Sequence, residues 1–218
     1  VRSDRQLGAA LALCAALVAC DAPTVPAEGA AYDPTALTGF VYHWGPGRSI
    51  AVYVDPTAEP ASADLRSAVS QAMSAWRRAT FLGEVQFTLV DAPADADVIV
   101  RHSAAPRRVG TAGCQPSDVG AGGYTFFCVE NDTPQILPLL EGPAGRVKMD
   151  IAIDRTAVDD DAQFRAVVAH ELGHVLGIGA HSSTADDLMF PSPRRLDPSV
   201  RDAQTLRSLF SRRAVVAF

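Results

Sequence analysis

The sequence predicts an α/β domain of the α+β kind, a mixed sheet of five strands with about three helices. Three observations carry this. Short β-branched runs alternate apolar and polar residues, longer stretches repeat apolar residues at helical spacing, and the two kinds follow one another as β-α-β-β-(loop)-β-β-α-(loop)-α. Ser49–Val54 (SIAVYV) alternates and stops at Asp55-Pro56, so it reads as the first strand. Leu65, Val69, Ala72, Met73, Trp76 and Thr80 then recur at helical spacing, with Ser62 or Asp64 as the cap and with Met73 and Trp76 facing a core. Residues 85–90 and 97–101 are the next two strands, separated by the turn-forming Asp91-Ala92-Pro93, and residues 103–123 read as a long surface loop. Residues 124–129 and 146–154 supply the last two strands. Asp159, Asp160 and Asp161 cap a helix running to Leu176, and a third helix starts at Asp197 with Leu206, Leu209 and Phe210 on one face. The order implies one helix packed under the sheet.

At 218 residues the chain has the length of a single domain. A composition of 48% hydrophobic and 20% charged residues excludes collagen-like, coiled-coil and wholly disordered classes. The formal net charge of −6 argues against a nucleic-acid-binding face, which needs a basic stripe. Lys148 is the one lysine among 19 basic residues, a bias of GC-rich bacterial genomes.

Residues 1–19 read as an export signal. Arg2 and Arg5 precede an uncharged Ala/Leu run over 7–19, which is too short for the roughly 20 residues of a membrane span but suits a signal core. Leu17-Val18-Ala19-Cys20 resembles the lipobox of bacterial lipoproteins, in which the Cys carries lipid; the alternative is an ordinary signal cut near Ala19 or Ala22. Residues 20–37, rich in Pro and Ala, are expected to be a flexible tether, and residues 38–218 the folded body. The expected location is the bacterial cell envelope through the lipid, or secretion if the signal is ordinary. Of the four Cys, Cys114 and Cys128 are left to each other in an oxidising compartment, so a disulfide is expected, worth about 3 kcal/mol in the chain-entropy model. Two free thiols or a metal pair is the weaker alternative, because no His or second CxxC lies beside them.

His170-Glu171-Leu172-Gly173-His174 falls on the second helix. Histidines at i and i+4 project from one face one turn apart, so both can reach a single zinc ion, and Glu171 is placed to take a proton from a water on that metal. A chance HExxH in such a chain is on the order of 1%, which makes two surface histidines on an amphipathic helix the minor reading. Gly177 then suits a left-handed helix end, His181 follows, and Leu188-Met189-Phe190-Pro191 comes after it.

These elements resemble the metzincin clan of zinc endopeptidases, whose signature is HExxHxxGxxH followed by a Met-turn, and are most similar to its matrixin family. The order of elements from about residue 38 to 212 is similar as well. The resemblance implies a zincin-like fold with a twisted, mostly parallel five-stranded sheet and one catalytic zinc on His170, His174 and His181. It further implies Glu171 as general base, Met189 as the turn residue beneath the metal, and hydrolysis of peptide bonds by a zinc-activated water. The substrate is then a protein or peptide laid along a sheet edge, for which residues 124–129 are the candidate, with residues 191–195 lining the specificity pocket. A monomer is expected, touching a membrane only through the N-terminal lipid.

The chain departs from the family pattern in several places. His181 stands eleven residues after His170 where the pattern has ten, so one residue among Ile178, Gly179 and Ala180 must be absorbed, with Gly179 suited to a bulge. Asp186 and Asp187 compete as third ligand; His181 is favoured because Ser182 continues the match. Matrixins hold a second zinc on three His and an Asp, but the five His of this chain leave only His43 and His102 for it. A calcium ion at Asp159, Asp160 and Asp161 is the other cation reading, although helix capping accounts for these residues without one. About 18 residues between Cys20 and the body leave no room for a cysteine-switch propeptide, and Phe190 stands where some metzincins have Tyr. The competing function is a catalytically silent zincin-fold binding lipoprotein, supported only by the shifted His181. A thermolysin-like zincin needs a Glu on a later helix, and the third helix has none.

Overall fold

Alternation within the central strands puts every second side chain on one face, and that face is where the helices settle. A computed structural model of the chain describes residues 30–36, 38–45, 47–56, 62–80, 83–84, 86–102, 114–116, 122–129, 136–137, 149–214 and 216–217. The expected signal segment, Cys20 and most of the 103–123 loop lie outside them. In chain order the elements are β1 (Tyr42–His43), β2 (Ser49–Val54), α1 (Ser62–Ala79), β3 (Gln86–Val90), β4 (Val98–His102), β5 (Cys114–Pro116), β6 (Gly123–Val129), β7 (Ile136–Leu137), β8 (Met149–Ile153), α2 (Asp161–Val175), α3 (Val200–Ser211) and β9 (Val216–Ala217).

The five expected strands form a sheet in the order β3-β2-β4-β8-β6, the first four parallel and β6 antiparallel to β8. β5 and β7 each add a short antiparallel pairing to β6, and β1 pairs with β9 apart from the main sheet. The register aligns Val52, Val98 and Met149 in one row across the strands. Val54, Val100 and Ile151 form the next, with Thr125 of β6 at its end. These rows pack on Leu65, Val69 and Trp76 of α1 and on Phe164, Val168 and Leu172 of α2 in one core.

Two helices, not the expected one, lie on the sheet: α1 against β2 and β3, α2 against β6 and β8, and the two against each other. The reason is in α2 itself, where every residue from Ala166 to Val175 is buried. A helix covered all round must have neighbours on all sides. Trp76 of α1 is one of them, fully buried with its indole N–H donated to the carbonyl of Ala169 at 2.7 Å.

Three boundaries differ from expectation. α1 already includes Ser62, so Asp64 sits in its first turn, where its carboxylate meets the positive end of the helix dipole. α3 starts at Val200 because Pro198 disfavours helical geometry at Asp197, and Ser199 and Asp202 form a reciprocal capping box. The chain is already seated before residue 38. Tyr32 donates its N–H to Thr205 Oγ1 (3.0 Å) and its hydroxyl to Asp202 Oδ1 (2.8 Å) on α3, so the expected tether does not extend to 37.

The expected free edge is also corrected. β5 returns from within the 103–123 segment and pairs with Phe126, Phe127 and Cys128. Among the described residues Gly123, Tyr124 and Thr125 of β6 have no strand on the side away from β8. The same pairing sets Cys114 opposite Cys128; the side chains of both lie outside the described residues.

Candidate metal centre

α2 ends in a turn that reaches back to its own histidine. Gly177 takes φ +114°, its N–H donates to His174 O, and the Ile178 N–H donates to Gly173 O. These are the two bonds of a Schellman ending. The reversal brings the Ile178 carbonyl to His174 Nδ1 at 2.6 Å. A side chain at Gly177 has no room either, since a Cβ would lie 2.2 Å from the Tyr42 carbonyl oxygen. Tyr42 and Trp44 close this end of the helix by donating to the carbonyls of His174 (2.8 Å) and Val175 (2.7 Å).

A second carbonyl serves His170. Leu188 offers its oxygen to His170 Nδ1 at 2.9 Å. Asp202 holds that turn in place by accepting the backbone N–H groups of Leu188 (2.8 Å) and Met189 (3.4 Å). Met189 is fully buried against α2. Gly173 makes the space for it: a Cβ there would lie 2.4 Å from Met189 Sδ and 2.7 Å from the Trp76 ring. The Ser182 N–H donates to the Met189 carbonyl at 2.7 Å, which ties the segment after His181 to the same turn.

The result is a cluster of three imidazoles, His170, His174 and His181, with ring centroids 4.8, 5.0 and 5.2 Å apart. Each offers a ligand atom, and these all lie within 4.8 Å of one another. Burial lowers His170 to about 3 and takes His174 well below its usual value, with the neighbouring imidazoles adding to the effect. Both rings are therefore neutral. Since each donates its Nδ1–H to a carbonyl, each Nε2 is a bare lone pair, and the two Nε2 atoms face each other at 3.1 Å. Two lone pairs at that distance repel unless a cation lies between them, and zinc–nitrogen bonds of about 2.0–2.1 Å span such a gap. The donor set fits zinc.

Glu171 is buried beside this cluster with 4% exposure. Its Oε2 lies 2.7 Å from Thr125 Oγ1. A Cβ on Gly123 would be 2.7 Å from its Oε1, so β6 passes against the carboxylate at that point.

The competing residues are engaged elsewhere. Asp187 is buried, hydrogen-bonded to Ser182 Oγ and paired with Arg201 at 3.1 Å, and Asp186 is exposed. Gly179, expected to absorb the extra residue by its conformation, has no positive φ; instead a Cβ there would meet Thr38 at 2.6 Å. Asp160 caps α2, Asp161 bonds Arg155 and Asp159 bonds Arg194, so protein groups account for all three acids. His43 lies between the carbonyls of Trp44 and Arg212, and His102 stacks on Phe164. Neither joins the cluster. Arg195, expected in the specificity pocket, is turned to the carbonyls of Asp197 and Asp186.

Sequence reasoning missed Thr125, Gly123, Tyr42 and Asp202. A Thr in a strand is unremarkable by propensity, and none of the four is near the motif in sequence.

The sequence model of the Matrixin family matches residues 44–211. No curated protein matches the chain. Among solved structures the chain is similar to myroilysin, with a TM-score of 0.46 and 16% identity over 78% of this chain and 83% of that one.

Proposed function

The chain belongs to the matrixin family and is a zinc metalloendopeptidase, and from that premise we propose how its residues share the hydrolysis of a peptide bond. His170, His174 and His181 would hold the zinc. The observation that carries this is the pair of bare Nε2 atoms 3.1 Å apart with both Nδ1–H groups committed to carbonyls. When bound, zinc supplies a Lewis acid there, polarising a peptide carbonyl and acidifying a water. Glu171 is the general base: its carboxylate takes the proton of the attacking water and returns it to the leaving amine. Met189 under Gly173 and the Asp202-held turn keep the His170 ring oriented. The substrate strand lies along Gly123, Tyr124 and Thr125, the part of β6 still open on its outer side.

The test is zinc content and cleavage of a quenched peptide by wild type and Glu171→Gln. The variant is expected to keep its zinc and lose roughly 10²–10⁴-fold in rate. Zinc binding with unchanged cleavage would remove Glu171 from the mechanism. Zinc binding by wild type with no cleavage of any peptide would instead favour the binding lipoprotein.

Two features outside the centre complete the proposal. Cys114 and Cys128 form a disulfide, supported by their opposed positions in β5 and β6 and checked by thiol titration with and without reductant. Cys20 carries lipid and holds the enzyme at the cell envelope, supported by the lipobox-like Leu17-Val18-Ala19-Cys20. Fatty-acid labelling that survives Cys20→Ala would refute it.

A further inference from the structure

Thr125 breaks the pattern of its own row. Val54, Val100 and Ile151 precede it across the sheet, all buried in the apolar core, and Thr125 at the end of the row is itself fully buried. A hydroxyl there costs free energy unless it is bonded. Its Oγ1 lies 2.7 Å from Glu171 Oε2 and 3.0 Å from the Glu171 main-chain oxygen. A hydroxyl has one proton to give. The carboxylate oxygen is the nearer acceptor, so the proton goes to Oε2.

Two residues back on the same face of β6 stands Gly123. Any side chain there would run into Glu171, with a Cβ 2.7 Å from Oε1 and 2.8 Å from Cγ. One residue therefore anchors one carboxylate oxygen, and the other clears the space in which the second oxygen sits.

We propose that Thr125 is a positioning residue for Glu171, and that Gly123-x-Thr125 on β6 sets the orientation in which the carboxylate meets the water and the leaving amine. The proposal rests on Glu171 being the general base. The Thr125 side chain is fully buried on Glu171 and takes no part in the main-chain pairing along the strand edge, which Thr125→Val leaves in place. Its effect is on the rate of proton transfer, so removal of the hydroxyl lowers kcat and leaves substrate binding and zinc binding in place.

The experiment uses the full chain as Thr125→Val, Thr125→Ser and Glu171→Gln beside wild type. Zinc content, thermal midpoint, kcat and KM on a quenched peptide are measured for each. Thr125→Val is expected to keep its zinc and its midpoint, to hold KM within about 2-fold, and to lose about 10–100-fold in kcat, as loss of an outer hydrogen-bond partner typically does. Thr125→Ser, which restores the hydroxyl, is expected to recover most of kcat. A wild-type kcat in Thr125→Val overturns the proposal. So does a loss of kcat that is matched by loss of zinc, or that Thr125→Ser fails to repair, since either marks a scaffold role. If Thr125→Val does not fold, Thr125→Ala is read by the same criteria. Wild-type cleavage by Glu171→Gln would sink the general-base reading instead, so the two failures are distinct.

Discussion

His170 and His174 are made into ligands by what their far nitrogens touch. The carbonyls of Leu188 and Ile178 take the Nδ1 protons, and burial keeps both rings neutral, so the lone pairs have no direction to point but at each other. His181 completes the set from a loop, while Asp187 beside it is held by Ser182 and Arg201. His181→Ala is therefore expected to lower zinc affinity by more than the ~10–100-fold typical of losing an outer partner, while Asp186→Ala leaves it unchanged; competition against a chelator of graded strength measures both. His170, Glu171 and His174 were legible because an i, i+4 pair on a helix is a local arrangement. Thr125 was not, because its partner is 46 residues away and only the register of β6 on β8 brings the two together.

At the scale of the element, the end of α2 does two things with one turn. It stops the helix and it supplies the Ile178 carbonyl to His174. Gly177→Ala is strained by its positive φ and blocked by the Tyr42 carbonyl. It is expected to destabilise the protein by more than about 1 kcal/mol and to weaken zinc binding along with it, read by denaturant midpoint and zinc titration. The start of α3 makes a milder test. Ser199→Ala removes one half of the capping box, with an expected cost of about 1 kcal/mol. Because Asp202 serves both that box and the Met-turn, Asp202→Ala is expected to cost more than Ser199→Ala in stability and also to reduce zinc affinity. The presence of α1 and of the five main strands followed from periodicity, and that of α2 from its acidic cap and its i, i+4 histidines. The start of α3 was misplaced because Pro198 was not weighed against the acidic residue before it. The free edge was misassigned because the pairing of β5 depends on a segment with no strong periodicity.

Across the whole molecule, one metal would join parts that are distant in sequence: α2, the loop carrying His181 and, through Leu188 and Asp202, the start of α3. A ligand that binds only the assembled site stabilises the fold by mass action, by about 2.7 kcal/mol at a hundred times its dissociation constant. The thermal midpoint is expected to rise with added zinc and to fall with a chelator, and to do neither in a His170→Ala/His174→Ala variant. By itself, the sequence determined the class of fold, the order of its strands and helices and the His170-Glu171-xx-His174 pair, because each of these is set by spacing along a single element. Tertiary structure alone decided that His181 and not Asp187 completes the cluster, that β5 covers most of β6, and that Gly123 and Thr125 meet Glu171. Those outcomes depend on which strands pair and how closely backbones approach, and neither is recorded in the periodicity of any one segment.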